Sequence, residues 1–143
     1  MSLRGRAVAE PVRAPFTAYV GAVAEHVSEG YVRLSLITGP QHADSAGRVH
    51  TGVLTTVMDS VIGIGLGRLR DADARQRLGP HATIDMSTSF YAYAAPGDEI
   101  VCEGRVTHLS EAVAFGEADA RRRSDGELLA KARLTFAISE NRA

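Results

Sequence analysis

A single cysteine, Cys102, is the first scarcity in this 143-residue chain, and it excludes an internal disulfide or a cysteine-built metal cage. So low a count fits a reducing compartment, and the chain is read as cytoplasmic. Net charge is scarce as well. Sixteen Lys and Arg against seventeen Asp and Glu leave −1, so no global positive field invites nucleic acid or an anionic membrane. Lysine is nearly missing: Lys131 stands against fifteen arginines, a bias that fits genome composition as well as any ligand requirement. No apolar run follows the positive residues of the amino end, and no later stretch is uninterruptedly apolar for the length of a bilayer. HExxH and CxxC are absent, and His42 and His50 lack an acidic companion at metal-ligand spacing, so no metal is expected.

What is present is the composition of one globular domain: 45% hydrophobic and 23% charged residues, with no low-complexity excess. Residues 1–14 have no period and read as a flexible leader, 15–139 as the domain, and 140–143 as a tail. A short helix is expected over Phe16–Val20, ending near Gly21. Residues 31–38 alternate as a half-buried strand, followed by a loop to about Arg48.

The segment from His50 to Arg68 is the long candidate helix, apolar around most of its circumference and therefore a buried one. Gly63, Gly65 and Gly67 each cost about 1 kcal/mol in a helix interior, so they suggest fraying, a cap or close backbone packing, and the helix is expected to end near Gly65. Four strand-like runs follow the polar stretch after it. Ile84, Met86, Thr88 and Phe90 share one face of the first, with Thr83, Asp85, Ser87 and Ser89 opposite. Ile100, Cys102, Gly104 and Val106 share a face of the second. The third presents Ala112, Ala114, Gly116, Ala118 and Ala120, a face so small that something bulky should lie across it. The fourth presents Leu128 to Ile138 at every second position after a turn at Gly126. One buried helix followed by consecutive hairpin-joined strands describes an α+β fold, an antiparallel β-sheet wrapped around a long central helix.

Asp59 is the one carboxylate within the apolar helix, and burial of an ionised group demands a partner. Either it bonds Ser60, a water or a backbone group at a subunit contact, or it is a catalytic base or nucleophile in a cleft. The free amides of the first turn near Thr51, Gly52 and Val53 can stabilise negative charge on a substrate oxygen. His50 either holds that turn or lines the site. Nine residues separate His50 from Asp59, about 13 Å along a helix, so both ends serve one carbonyl only if they come from two antiparallel chains.

The stretches HADSAGRVHTGVLTTVMDSVIG, ATIDMSTSFYAYAAPGDEIVCEGRV and GELLAKARLTFAI, in that order, resemble the hotdog-fold acyl-CoA thioesterases of the phenylacetate-pathway and 4-hydroxybenzoyl-CoA type, over roughly Phe16 to Ile138. The resemblance implies a homodimer with a continuous sheet, commonly paired into a tetramer, and an acyl-CoA substrate whose coenzyme A is no separate cofactor. It implies Asp59 as the carboxylate that activates water or attacks the thioester, Gly52 with Thr51 as the carbonyl-polarising backbone, and His50 as the histidine of the turn. Thr83 then falls where a hydroxyl positions the nucleophile or its water. Two positions depart from the family: Asp44 replaces an asparagine, exchanging an amide donor for an acceptor, and Thr51 replaces a glycine. Arg121, Arg122 and Arg123, with Arg105 and Arg133, are candidates for the coenzyme A phosphates, or else are solvated edge-strand charges. Phe90, Tyr91 and Tyr93 suit an aromatic acyl pocket, or equally a core or an interface. The alternative to an enzyme is a noncatalytic acyl-CoA or small-molecule binding protein on the same scaffold.

Overall fold

The computed structural model describes residues 10–12, 14–73 and 79–139. Of the expected leader, residues 1–9 and 13 lie outside the described residues, as does the tail 140–143. The described part of the leader is not loose: β1 (Glu10–Pro11) pairs with β2 (Val23–Ser28), and Val12 is buried. Between them runs α1 (Pro15–Val20), with proline in its first turn, where no backbone donor is needed. Gly21, at φ +105°, closes the helix by donating to Ala18.

Strand β2 forms a hairpin with β3 (Tyr31–Ile37), and no strand was expected there. A bulge between Ala24 and His26 explains why. It leaves Ala24 and Glu25 buried in succession, which erases the alternation that marks a strand in sequence. Glu25 is held by Arg33 at 3.0 Å and by Arg123, so its burial is paired.

Beyond the site loop come α2 (Thr51–Ala72), β4 (His81–Phe90), β5 (Glu99–Leu109), β6 (Val113–Arg122) and β7 (Leu128–Ile138). The antiparallel sheet runs β1-β2-β3-β5-β6-β7-β4 and wraps around α2, the expected hotdog arrangement. With its 22 residues and a mean hydropathy of 1.3 over the most apolar window, α2 reaches the length and composition of a membrane span, but Thr55, Thr56, Asp59 and Ser60 interrupt it, as the sequence reading has it, and the wrapped sheet covers its apolar side.

The glycines do not end the helix near Gly65. A Cβ on Gly65 would lie 3.3 Å from the backbone of Gly30 and Tyr31, and the Gly30 amide donates to the Gly65 carbonyl at 2.9 Å. Helix and sheet backbones touch there, and any side chain would have to push the turn back by a few tenths of an ångström. The expected small face of β6 answers this from the sheet side. A Cβ on Gly116 would fall 2.6 Å from Ile62, and one on Gly104 of β5 2.5 Å from Val61. These two fully buried side chains are the bulk across the small face.

Three further bulges interrupt the register, one of them in β5 between Val106 and His108, and the other two change which face expected residues take. One in β7 opposite Ala120 and Arg121 makes Leu129, not Leu128, the fully buried leucine. The other, in β4 between Thr83 and Asp85, leaves Ile84 unpaired, so Thr83 turns toward α2 rather than sharing the outer face of Asp85, Ser87 and Ser89.

At the start of β4, His81 clamps strand to helix. Arg70 can only donate and the Gly63 carbonyl can only accept, so Nδ1 of His81 accepts from Arg70 at 2.9 Å and Nε2 donates to Gly63 at 3.1 Å. That tautomer is neutral. Burial, helped by Arg70 and opposed by the Gly63 carbonyl and Asp71, pushes the imidazole below its usual pKa.

Overpacking the helix–sheet contact should therefore be felt: Gly116→Ala is expected to cost about 1–3 kcal/mol in chemical denaturation without changing the far-ultraviolet spectrum. For His81 the unfolded chain takes up the proton first, so its contribution is complete above about pH 6.5 and is lost as pH falls below that. His81→Gln should flatten the fall in melting temperature between about pH 7 and 5.5.

Candidate active site

The turn that enters α2 is built on histidines. His42 is buried; its Nδ1 accepts from the Gly39 amide at 2.9 Å and its Nε2 donates to the Val20 carbonyl at 2.6 Å. The His42 carbonyl in turn receives the His50 amide at 2.8 Å. His50, extended at φ −61° and ψ 135°, is the N-cap of α2, and its Nδ1 accepts the Gly52 N–H at 2.8 Å. A Cβ on Gly52 would lie 2.9 Å from that nitrogen, so glycine is what lets the ring close over the amide. An oxygen ligand reaching the Gly52 N–H must take the place of the imidazole.

Asp59 lies seven residues further along α2, about 10 Å by helix rise. Its Oδ1 accepts a hydrogen bond from Thr83 at 2.6 Å. Ser60 turns the other way, donating to the Thr56 carbonyl and sharing a 2.6 Å bond with buried Thr17 of α1. Asp59 is half-buried on a flank of α2 that also carries Gly52, Thr56, Gly63 and Gly67, beside the edge strand β4. Thr51 is exposed at the mouth of the same helix.

Asp44 organises the preceding loop. Its Oδ1 accepts from the amides of Ala46 at 2.8 Å and Arg48 at 3.0 Å, and its Oδ2 meets the Arg48 guanidinium at 3.2 Å. The Arg48 amide above all, then that of Ala46, holds the carboxyl below its usual pKa. Arg48 also lies 4.1 Å over the ring of Tyr93. Sequence reasoning passed over this arginine; the DSAGR spacing, an acid four residues before a base across a glycine turn, was its signal.

This helix-and-sheet geometry has known relatives. The thioesterase superfamily profile matches residues 46–129. The chain belongs to the thioesterase superfamily. Acyl-coenzyme A thioesterase 13 of Mus musculus is 27% identical over 95 residues, covering 66% of this chain and 64% of that protein, so the chain spans under two thirds of its curated relative's length. Thioesterase superfamily member 2 of Mus musculus superposes with a TM-score of 0.76 at 20% identity, over 89% of this chain and 90% of that one. A mutant phenylacetic acid degradation protein of Thermus thermophilus gives 0.74 at 19% identity, over 87% and 99%.

In this superfamily member the arginines expected at coenzyme A phosphates already have carboxylate partners. Arg122 bonds Asp98, Asp125 and Glu127 together with the Tyr93 carbonyl. Arg123 pairs with Glu25 and Glu99, and Arg121 with Asp119 at 3.9 Å. Arg105 and Arg133 sit on β5 and β7, which are interior strands, so the edge-strand reading of their charge does not hold. Among the described residues no three of His, Cys, Asp and Glu gather as metal ligands.

The loop assignment can be checked by hydrogen exchange. Asparagine at position 44 keeps a carbonyl oxygen for both amides and alanine does not. Asp44→Asn should leave exchange at Ala46 and Arg48 within about threefold, and Asp44→Ala should speed it by about tenfold or more.

Proposed function

We propose that this chain is an acyl-CoA thioesterase of the cytoplasm, working as a homodimer. The observation that carries the reading is the Asp59 carboxylate fixed by Thr83 on the same half-exposed flank of α2 as the Gly52 amide, beside an open sheet edge. Similarity to acyl-coenzyme A thioesterase 13 supports the substrate class. The edge supports the dimer: among the described residues β4 pairs only with β7, and its Ile84 is 61% exposed. Joining two β4 edges about a two-fold axis runs the two α2 helices antiparallel along their small-residue flanks and carries each Asp59 toward the partner subunit's helix amino terminus.

In that arrangement the thioester carbonyl displaces His50 from Gly52 and lies at the amino end of one helix, where the amides of Thr51 and Gly52 receive the developing oxyanion. Asp59 of the other subunit takes a proton from water as its oxygen attacks the carbonyl carbon. The C–S bond then breaks and the proton passes to the departing coenzyme A thiolate. Direct attack by the carboxylate, with hydrolysis of the anhydride, uses the same geometry. Thr83 keeps one carboxylate oxygen bonded and leaves the other for the proton. Phe90, Tyr91 and Tyr93, all exposed in the single chain, flank the end of β4 where an acyl group would lie.

A second reading, a noncatalytic acyl-CoA binding protein, is favoured by one feature: Asp44 is an acceptor already committed to its own loop and offers no donor to a carbonyl.

Kinetics on a panel of aryl and aliphatic CoA thioesters, scored for binding and for thiol release, separates the two. Asp59→Asn should lower kcat by at least about 10²-fold with fold and dimer mass intact. Thr83→Val, which frees the carboxylate without removing it, should cost about tenfold. A folded, dimeric Asp59→Asn protein with near-wild-type turnover removes Asp59 from the mechanism, and binding without thiol release by the wild type selects the second reading.

A further inference from the structure

At the entrance of α2 stands a cation that its own chain uses only in part. The Nε of Arg48 meets Asp44 Oδ2 at 3.2 Å, and the guanidinium lies 4.1 Å over the ring of Tyr93. Its two terminal nitrogens, which can take a carboxylate side by side, bond no other described residue. Both supports are themselves fixed. Asp44 Oδ1 is held by the amides of Ala46 and Arg48, the Tyr93 carbonyl accepts from Arg122 at 2.7 Å, and the Ala95 amide donates to Asp98 at 2.9 Å. The ring thus sets the plane of the guanidinium and Asp44 its direction, removing much of the rotamer freedom, about 2 kcal/mol, that an arginine side chain carries. Closing the loop does not require this, because the two amides already close it on Asp44.

The backbone also aims the group. Val49 is buried, bridges Ala43 and donates its amide to the Ala94 carbonyl at 2.8 Å, so the chain is extended through it. Alternation then puts its exposed neighbours Arg48 and His50 on one face, about 6.6 Å apart along the backbone. A ligand that takes the place of the His50 ring at the Gly52 amide lies on that same face.

We propose that Arg48, plated on Tyr93, receives a carboxylate carried by the acyl group, so that the substrate is the coenzyme A thioester of a short dicarboxylic acid; this rests on the hydrolase reading of the site. The guanidinium covers the same Tyr93 ring against which the acyl group lies in that reading. An acyl carboxylate is a few bonds from the thioester carbonyl at Gly52, whereas the phosphates of coenzyme A lie at the far end of the pantetheine arm. Capture on the two terminal nitrogens leaves Nε with Asp44, so the ligand completes the arginine without breaking the loop. The backbone amides on Asp44 Oδ1 offset the charge of that carboxylate, which the incoming one would otherwise meet as repulsion.

Steady-state kinetics on the full chain compares glutaryl-CoA with pentanoyl-CoA, its neutral counterpart of equal length. The wild type should favour glutaryl-CoA in kcat/KM by about tenfold or more, chiefly through KM. Arg48→Met should bring that ratio to about one, and Arg48→Lys, which keeps the charge without the paired nitrogens, should retain a preference of about threefold. A wild type that turns over both thioesters without preference would overturn the assignment. So would an Arg48→Met protein that loses activity on both in proportion, which makes the arginine a loop clasp. Weakening of both CoA thioesters with S-glutaryl pantetheine unaffected would give the guanidinium to a coenzyme A phosphate and overturn it too. If the wild type releases no thiol from either thioester, the hydrolase reading alone fails, and dissociation constants from calorimetry carry the same comparison. A glutaryl preference in binding that Arg48→Met removes then upholds Arg48 as the carboxylate receptor, and no preference overturns it.

Discussion

Everything else in this molecule hangs on how closely α2 lies against the sheet. At Gly65 the helix backbone meets the backbone of the β2–β3 turn, and at Gly104 and Gly116 the sheet gives up its side chains so that Val61 and Ile62 can seat. Three glycines inside one helix cost about 1 kcal/mol each. Fully burying large side chains such as Val61, Ile62, Met58 and Leu66 returns about 1.5–3 kcal/mol apiece, which offsets that loss and fixes the helix at one depth and one rotation.

That rotation decides the chemistry available. With its buried side spent on the sheet, α2 leaves one narrow flank half-exposed, and Asp59 stands on it beside β4. The strand reaches the carboxylate because of a single unpaired residue, Ile84, whose bulge turns Thr83 inward. The helix entrance is set separately, by buried His42 holding the His50 backbone and by Asp44 closing its own loop. The two halves of the candidate site are thus positioned separately, the entrance by the loop before α2 and the carboxylate by β4, and a second chain is what brings them together in the proposed mechanism.

The charges divide in a similar way. Around the β6–β7 hairpin, arginines are consumed by carboxylates of the same chain, Arg122 taking three, and these bonds tie the hairpin to the turn at Asp98. On the outer face the charges alternate by strand, with Glu117 and Asp119 on β6 beside Arg133 and Lys131 on β7. A run of three arginines and a scattered Lys and Arg look alike in sequence; only the neighbours across the sheet show the first to be a structural clasp.

The sequence by itself determined the elements whose pattern is local and regular: the apolar helix with Asp59 inside it, the small face of β6 that required bulk across it, and the turn at Gly126. Its three resembling stretches were enough to reach the family. Only the tertiary structure decided where patterns break. The β2 strand was hidden by its own bulge, Thr83 was assigned to the wrong face of β4 for the same reason, and Leu129 replaced Leu128 in the core. A bulge is one residue that changes the parity of everything on one side of it, and nothing in the local composition marks where it falls. The glycines of α2 were ambiguous for a related reason: their effect on a helix depends on what approaches, and here a sheet backbone lies 3.3 Å from the absent Cβ of Gly65 while Gly63 and Gly67 face the Phe136 and His81 side chains at ordinary contact distance, within one continuous helix.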